Sequence, residues 1–189
     1  MVLMHMGIVL WIGVHLIPSF APGIKRRWKQ ALGQNGYMAS FSMLLVLALV
    51  LIVMGWRTAI PGYIYALPIT VNLIALLTMW LAAILFVSAK LSTHIKRVIR
   101  HPQLLGVVLW SVAHLLANGD TRSVTLFGSM LVWAIVQMYS INRRDGQWLR
   151  PNAPPLKADL ILIVIGTVVY LALIYLHPYL SGVPLTYMG

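Results

Sequence analysis

The sequence has no cysteine, so disulfides, thiolate metal sites and cysteine nucleophiles are all excluded, and the redox compartment is left open. Acidic residues are almost as scarce: Asp120, Asp145 and Asp159 are the only ones, and none lies deep in an apolar segment. Zinc hydrolysis, glycoside cleavage and proton pumping usually need a carboxylate in the site, so the scarcity counts against all three. A Ser-His pair built on Ser111 would lack both an acidic third member and the turn that presents a hydrolase nucleophile. Charge of either sign makes up only 9% of the 189 residues, against roughly 25% in soluble domains.

Hydrophobic residues fill the space, at 60% of the chain. Uncharged apolar windows fall at about 2–17, 37–56, 67–89, 102–119, 123–142 and 160–177, most of them within the roughly 17–25 residues a helix needs to cross hydrocarbon. The pattern predicts an all-α integral membrane protein, a single domain over residues 1–189 with six transmembrane helices. The first cation is Lys25, so the N-terminal run lacks the positive flank of a cleavable signal and reads as a retained helix. Pro18, Pro61, Pro68, Pro102, Pro151, Pro154, Pro155 and Pro178 lie at or outside the window ends, where a missing N–H does least harm.

Fourteen Lys and Arg give a formal net charge of +11, which raises nucleic acid as a ligand. Their placement argues against it. Lys25, Arg26, Arg27 and Lys29 follow the first window, Lys90, Lys96, Arg97 and Arg100 the third, and Arg143, Arg144, Arg150 and Lys157 the fifth. The other two loops hold only Arg57 and Arg122. By the positive-inside rule the basic loops are cytoplasmic and both termini face outward. KRRWKQALGQ (25–34) reads as an interfacial segment with snorkelling cations and an anchoring Trp28, and NAPP (152–155) as a stiff loop.

Six histidines remain. His94 in a basic loop and His177 before Pro178 need no function, being solvated or interfacial. His5, His15, His101 and His114 lie within or at the ends of the first and fourth windows, where ionisable groups are costly and usually face the protein interior. An interhelical hydrogen bond from neutral imidazole accounts for any one of them. Four on two helices suit haem better, because its iron accepts histidine axially while its ring packs on apolar side chains. His101 and His114 are roughly 20 Å apart along one helix and cannot share an iron. The antiparallel first helix puts His5 level with His114 and His15 nearer His101.

GVHLIPSFAPGIKRRW (13–28), the LG at 32–33 with Tyr37, Phe41 and Ser42, HPQLLGVVLWSVAHLLANGD (101–120) and LFGSMLVWA (126–134) together resemble the NnrU family of bacterial membrane proteins. The resemblance spreads over roughly the first 145 residues; the last helix matches only in character. It implies a multi-pass protein of the bacterial inner membrane, linked to denitrification and nitric oxide metabolism. Two relatives widen the field: the plant 15-cis-zeta-carotene isomerase, a haem b protein with histidine ligands, and, more distantly, methanethiol S-methyltransferase, which uses S-adenosylmethionine. Carried over by residue, His15 and His114 are the first choice as axial ligands, with His101 accessory or alternative; His5 with His114, level in depth, ranks second. Where the family leads one to expect a histidine early in the third window, this chain has Asn72.

Trp110 reads as core or as packing against a porphyrin face. Asn118, Gly119 and Asp120 read as a helix stop followed by an N-cap. His101, beside Arg97 and Arg100, takes a polar or gating role at the inner mouth. The resulting expectation is a haem b protein in electron transfer, gas sensing or an isomerase-like role. Its partners are the lipid bilayer and either denitrification components or a hydrophobic small molecule, with no nucleic acid. The alternatives are a cofactor-free transporter or assembly subunit, and a membrane S-methyltransferase.

Overall fold

In hydrocarbon a backbone must satisfy its own N–H and C=O groups, and a helix does so within one segment. A computed structural model describes residues 1–183, and every long apolar run in it is helical. Among the described residues there are seven helices: α1 (Val2–Phe20), α2 (Pro22–Thr58), α3 (Val71–Ser88), α4 (Ile95–Val98), α5 (Pro102–Ala117), α6 (Thr121–Asp145) and α7 (Lys157–Ser181). Five of them, α1, α2, α3, α6 and α7, are long and apolar enough to cross a membrane. The fourth predicted span, α5, is apolar but only 16 residues long. Apolar side chains such as Val168 and Leu171, each more than half exposed, cover the outside of the bundle, as lipid contact requires. The molecule is a multi-pass helical membrane protein.

Several predicted boundaries need correction. A helical arm that the windows did not predict precedes the second span: it starts at Pro22, because proline is well placed in a first turn and the segment that follows is itself helical, and the span proper begins after Gly33, a few residues before 37. This arm ends at Gly33, whose φ of 69° and ψ of 176° lie in a region that essentially only glycine adopts. In a straight helix Trp28 and Phe41 would be roughly 20 Å apart. Their ring centroids lie 6.3 Å apart, with Tyr37 5.0 Å from Trp28, so the basic arm folds back on the long part of α2. The third helix starts at Val71 rather than 67. Pro68 disfavours helix in the residue before it, and residues 59–70 instead follow the turn between α5 and α6. Pro18 and Pro178 lie inside the last turns of α1 and α7, not beyond them, because both helices run past their apolar windows.

Asp120 caps α6 as expected: its carboxylate accepts from the backbone N–H groups of Arg122 (3.0 Å) and Ser123 (3.1 Å) and from the Ser123 hydroxyl. Asn118 closes α5, its backbone N–H (2.8 Å) and its side-chain amide (3.1 Å) both donating to the His114 carbonyl.

The spanning helices and α5 form a ring in the order α2, α1, α6, α5, α3, α7, with α7 touching α2 to close it. Lipid tails give no hydrophobic drive between helices, so close approach at small residues sets the contacts. A Cβ on Gly55 would lie 2.2 Å from the Met4 backbone nitrogen, and one on Gly7 2.7 Å from the Ala48 carbonyl oxygen, so α1 and α2 meet backbone to backbone. Trp80 Nε1–H donates to Thr167 Oγ1 (3.0 Å), joining α3 to α7.

The three basic loops gather at one end of the ring. There Arg144 donates to Ser19 (3.2 Å), Arg100 to the Gly146 carbonyl (2.8 Å), and His101 to Asn142 (2.8 Å). At the opposite end Arg57 donates to the Tyr179 carbonyl (2.8 Å), and Arg122 lies 4.4 Å from the Trp56 ring centroid.

Candidate functional site

Three histidines, His15 and His114 inside the ring and His5 on an exposed face of α1, share one local arrangement. A histidine one turn after a helical carbonyl can donate Nδ1–H back to it, and a carbonyl oxygen can only accept. His15 does so to Trp11 (2.9 Å), His114 to Trp110 (2.9 Å) and His5 to Met1 (2.9 Å). In each ring the proton therefore sits on Nδ1 and the lone pair on Nε2. An oriented imidazole whose other nitrogen is hydrogen-bonded is the form that ligates metals.

His15 lies in an aromatic cage made by three helices. Its ring centroid is 4.4 Å from Trp11 on α1, 4.9 Å from Trp133 on α6 and 5.9 Å from Phe41 on α2. Both indoles keep a buried N–H with no protein acceptor among the described residues, and one turn beyond Trp133 the buried Gln137 has an unpartnered side-chain oxygen.

His114 occupies a different pocket. Phe127 stacks on it at 4.1 Å with 20° between planes, and Trp110, besides lending its carbonyl, meets it edge-on at 5.1 Å. His177 on α7 lies 6.3 Å away, its plane tilted by 25°. His177 Nδ1 is 3.2 Å from both the Val183 carbonyl and the Ser181 hydroxyl, so its proton also points away from its neighbour. His177, read from the sequence as solvated or interfacial, lies beside His114.

His15 and His114, the favoured pair, contact different residues: Trp11, Phe41 and Trp133 for one, Trp110, Phe127 and His177 for the other. On α6 their markers Trp133 and Phe127 are six residues, or roughly 9 Å, apart, with buried Met130 between them. His5 sits on an exposed face of α1. His101 is at the basic end, bonded to Asn142 and removed from the pockets of His15 and His114. His94, read as solvated, instead pairs with Asp159 at 2.5 Å and joins the loop before α4 to the start of α7.

Trp110 packs on His114 and Phe127. Asn72, Asn118, Gly119 and Asp120 line a recess of about 450 Å³ at the end opposite the basic loops, together with Tyr63 and Tyr65. A Cβ on Gly119 would meet the Tyr65 carbonyl, and Gly119 in turn accepts from the backbone N–H groups of Ile64 (2.8 Å) and Tyr65 (3.0 Å). The Tyr65 hydroxyl donates to the Leu115 carbonyl (2.5 Å). Burial, and then the negative charge of Asp120, raise its pKa, so it stays a donor. The readable signal for Trp133 and Phe127 was their place in LFGSMLVWA, whereas His177 gave none beyond being a histidine.

These features define a class: a multi-span helical membrane protein holding oriented neutral imidazoles in aromatic pockets among its helices. Within that class the chain belongs to the NnrU family, described as NnrU protein, which matches residues 3–185. No curated protein and no solved structure matches it.

Proposed function

We propose that this NnrU protein binds haem b through intramembrane imidazoles and serves a redox, gas-sensing or isomerase-like role close to nitrogen-oxide metabolism. One observation carries the reading: His15 and His114 each tie Nδ1–H to the carbonyl four residues back and keep Nε2 without a protein partner among the described residues. The surroundings suit the group. Aromatic rings line both pockets, and among the described residues no cluster of three or more His, Cys, Asp or Glu competes for a bare ion.

His114 and His15 hold iron in this reading. Trp110 and Trp11 fix the tautomer and ring direction through their carbonyls, and Phe127 and Trp133 exclude water. Bound haem supplies one-electron chemistry and a place for a diatomic gas. His101, bonded to Asn142 at the basic end, acts on access rather than on the metal.

The protein spans the bacterial inner membrane six times with both termini outside. The loop charges support this reading, and so does the place of α5 in the ring between α3 and α6. The C-terminal residue Gly189 lies outside the described residues. A reporter fused after it is active only on the outer side, and cytoplasmic activity overturns the topology.

The central test is the optical spectrum of detergent-purified protein made with haem supplied. A Soret band is expected, lost or strongly shifted in His114→Ala and kept in His101→Ala. A colourless wild type removes the haem reading, and equal loss in both variants removes the division of roles.

A further inference from the structure

The helical arm 22–32 is tied at both ends to spanning helices on the same side of the ring. It follows the last turn of α1, where Ser19 accepts from Arg144, and Gly33 turns it into the long part of α2. A helix of this length runs roughly 16 Å, so the two tethers hold it across the basic end, where spanning segments leave hydrocarbon.

At about 100° per residue, Ile24, Trp28 and Leu32 fall on one stripe of the arm, Arg26 lies opposite, and Arg27 and Lys29 stand to either side. Trp28 is seated on Tyr37 and Phe41, while Ile24 and Leu32 stay 56% and 52% exposed. A short amphipathic helix with an uncovered apolar stripe, held beside lipid-facing spans, lies in the interface with that stripe toward the acyl chains.

The cations single the arm out, four of them falling within residues 25–29. Lys29 Nζ lies 5.3 Å from the Tyr37 ring centroid, and Lys25, Arg26 and Arg27 have no hydrogen bond or ion pair among the described residues. The chain offers them no carboxylate: Asp145 pairs with Arg144 (2.7 Å), Asp159 with His94 (2.5 Å), and Asp120 caps α6 at the other end. Their counter-charge therefore comes from outside the chain.

We propose that the arm 22–32 is a docking surface for anionic phospholipid headgroups, with Lys25, Arg26 and Arg27 on the phosphates and Ile24 and Leu32 among the acyl chains. A soluble polyanion would match the cations but leave the apolar stripe in water. The reversal at Gly33 makes the surface possible, because a straight continuation of α2 would carry the arm away from the bilayer. Bound haem plays no part in it.

Because the chain has no cysteine, one introduced thiol is a unique labelling site. Full-length protein carries a nitroxide on Gln30→Cys, an exposed position of the arm, or on Ile60→Cys at the opposite end as a control. Each is placed in phosphatidylcholine vesicles and in the same vesicles with about a quarter phosphatidylglycerol. The Gln30 label is expected to be slowed by the anionic vesicles and released at about 1 M salt, where screening acts within about 3 Å. The Ile60 label is expected to respond to neither. Removing three charges together, by Lys25→Gln, Arg26→Gln and Arg27→Gln, is expected to abolish the slowing. The same variant is expected to lose at least about tenfold in retained phosphatidylglycerol over phosphatidylcholine, counted by native mass spectrometry, since each cation at an anionic surface contributes on the order of fivefold. Arg26→Gln alone, with a loss of about fivefold, replaces it if the triple variant fails to insert.

A Gln30 label equally mobile in both vesicles, or still slowed after the charges are removed, overturns the proposal. Slowing in neutral vesicles by inorganic phosphate alone assigns the cations to a free anion and overturns it as well, and so does stronger slowing by a short RNA than by phosphatidylglycerol.

Discussion

His15 and His114 are made alike and housed differently. Each donates Nδ1–H to the carbonyl one turn back, next to a tryptophan of its own helix. His15 is packed against the rings of Trp11, Trp133 and Phe41, and both indole N–H groups are buried without a protein acceptor among the described residues. His114 is covered on one side by Phe127 and meets a second imidazole on the other. The helical backbone orients an imidazole by a purely local rule, but what packs against that imidazole is decided by which distant helix supplies its neighbour.

The contrast breaks most severely if the crossing of α1 and α2 is forced open. Gly55→Leu must displace the Met4 backbone, because even a Cβ would lie 2.2 Å from it. Overpacking of this kind is expected to cost more than about 3 kcal/mol, read as a lower thermal midpoint in detergent. The His15 cage, which needs Phe41 from α2, is expected to open before the His114 pocket between α5, α6 and α7. In Gly13→Ala, where a Cβ meets nothing within 4 Å, the midpoint stays near wild type.

Trp133 sharpens the comparison at the next level. Trp133→Ala removes a ring that is 6% exposed and one wall of the His15 cage, at an expected cost of about 3 kcal/mol. Trp133→Phe keeps a ring and deletes an N–H that has no protein acceptor, so it is expected to be close to neutral. A loss as large as that of alanine would show that the N–H is bonded to something held in the cage. Denaturation of both variants in one detergent decides this.

Asp120→Ala is expected to cost less than Trp133→Ala, about 1 kcal/mol from the lost cap of α6. Phe127 stands two turns into that helix, so loosening is expected at His114 and not at His15. Hydrogen exchange that is faster around residues 121–127 and unchanged around residue 15 supports this. Equal change at both sites would mean that the two pockets open as one unit.

Much of the architecture was readable in advance. The apolar runs, the loop cations and Asp120 ahead of an apolar segment act within a few residues of themselves, so their consequences follow from composition and spacing. The misplaced helix starts were also local, in that Pro22 could begin a helix and Gly33 could bend one before the apolar run set in. The partners of His94 and His177 were not readable, because each is supplied from far away in sequence, Asp159 for one and His114 for the other.

What the sequence by itself determined is that this chain is helical, lives in a membrane, keeps its basic loops together and carries histidines within its apolar segments. Helix formation, capping and charge sorting depend on near neighbours and on the solvent. Only the tertiary structure decided the ring order, the folding back of the basic arm, the separate pockets of His15 and His114, and the meeting of His114 with His177. In lipid, helices are not sorted by hydrophobicity. They settle where small residues such as Gly7, Gly55 and Gly166 let backbones approach, and that complementarity joins segments up to tens of residues apart in the chain.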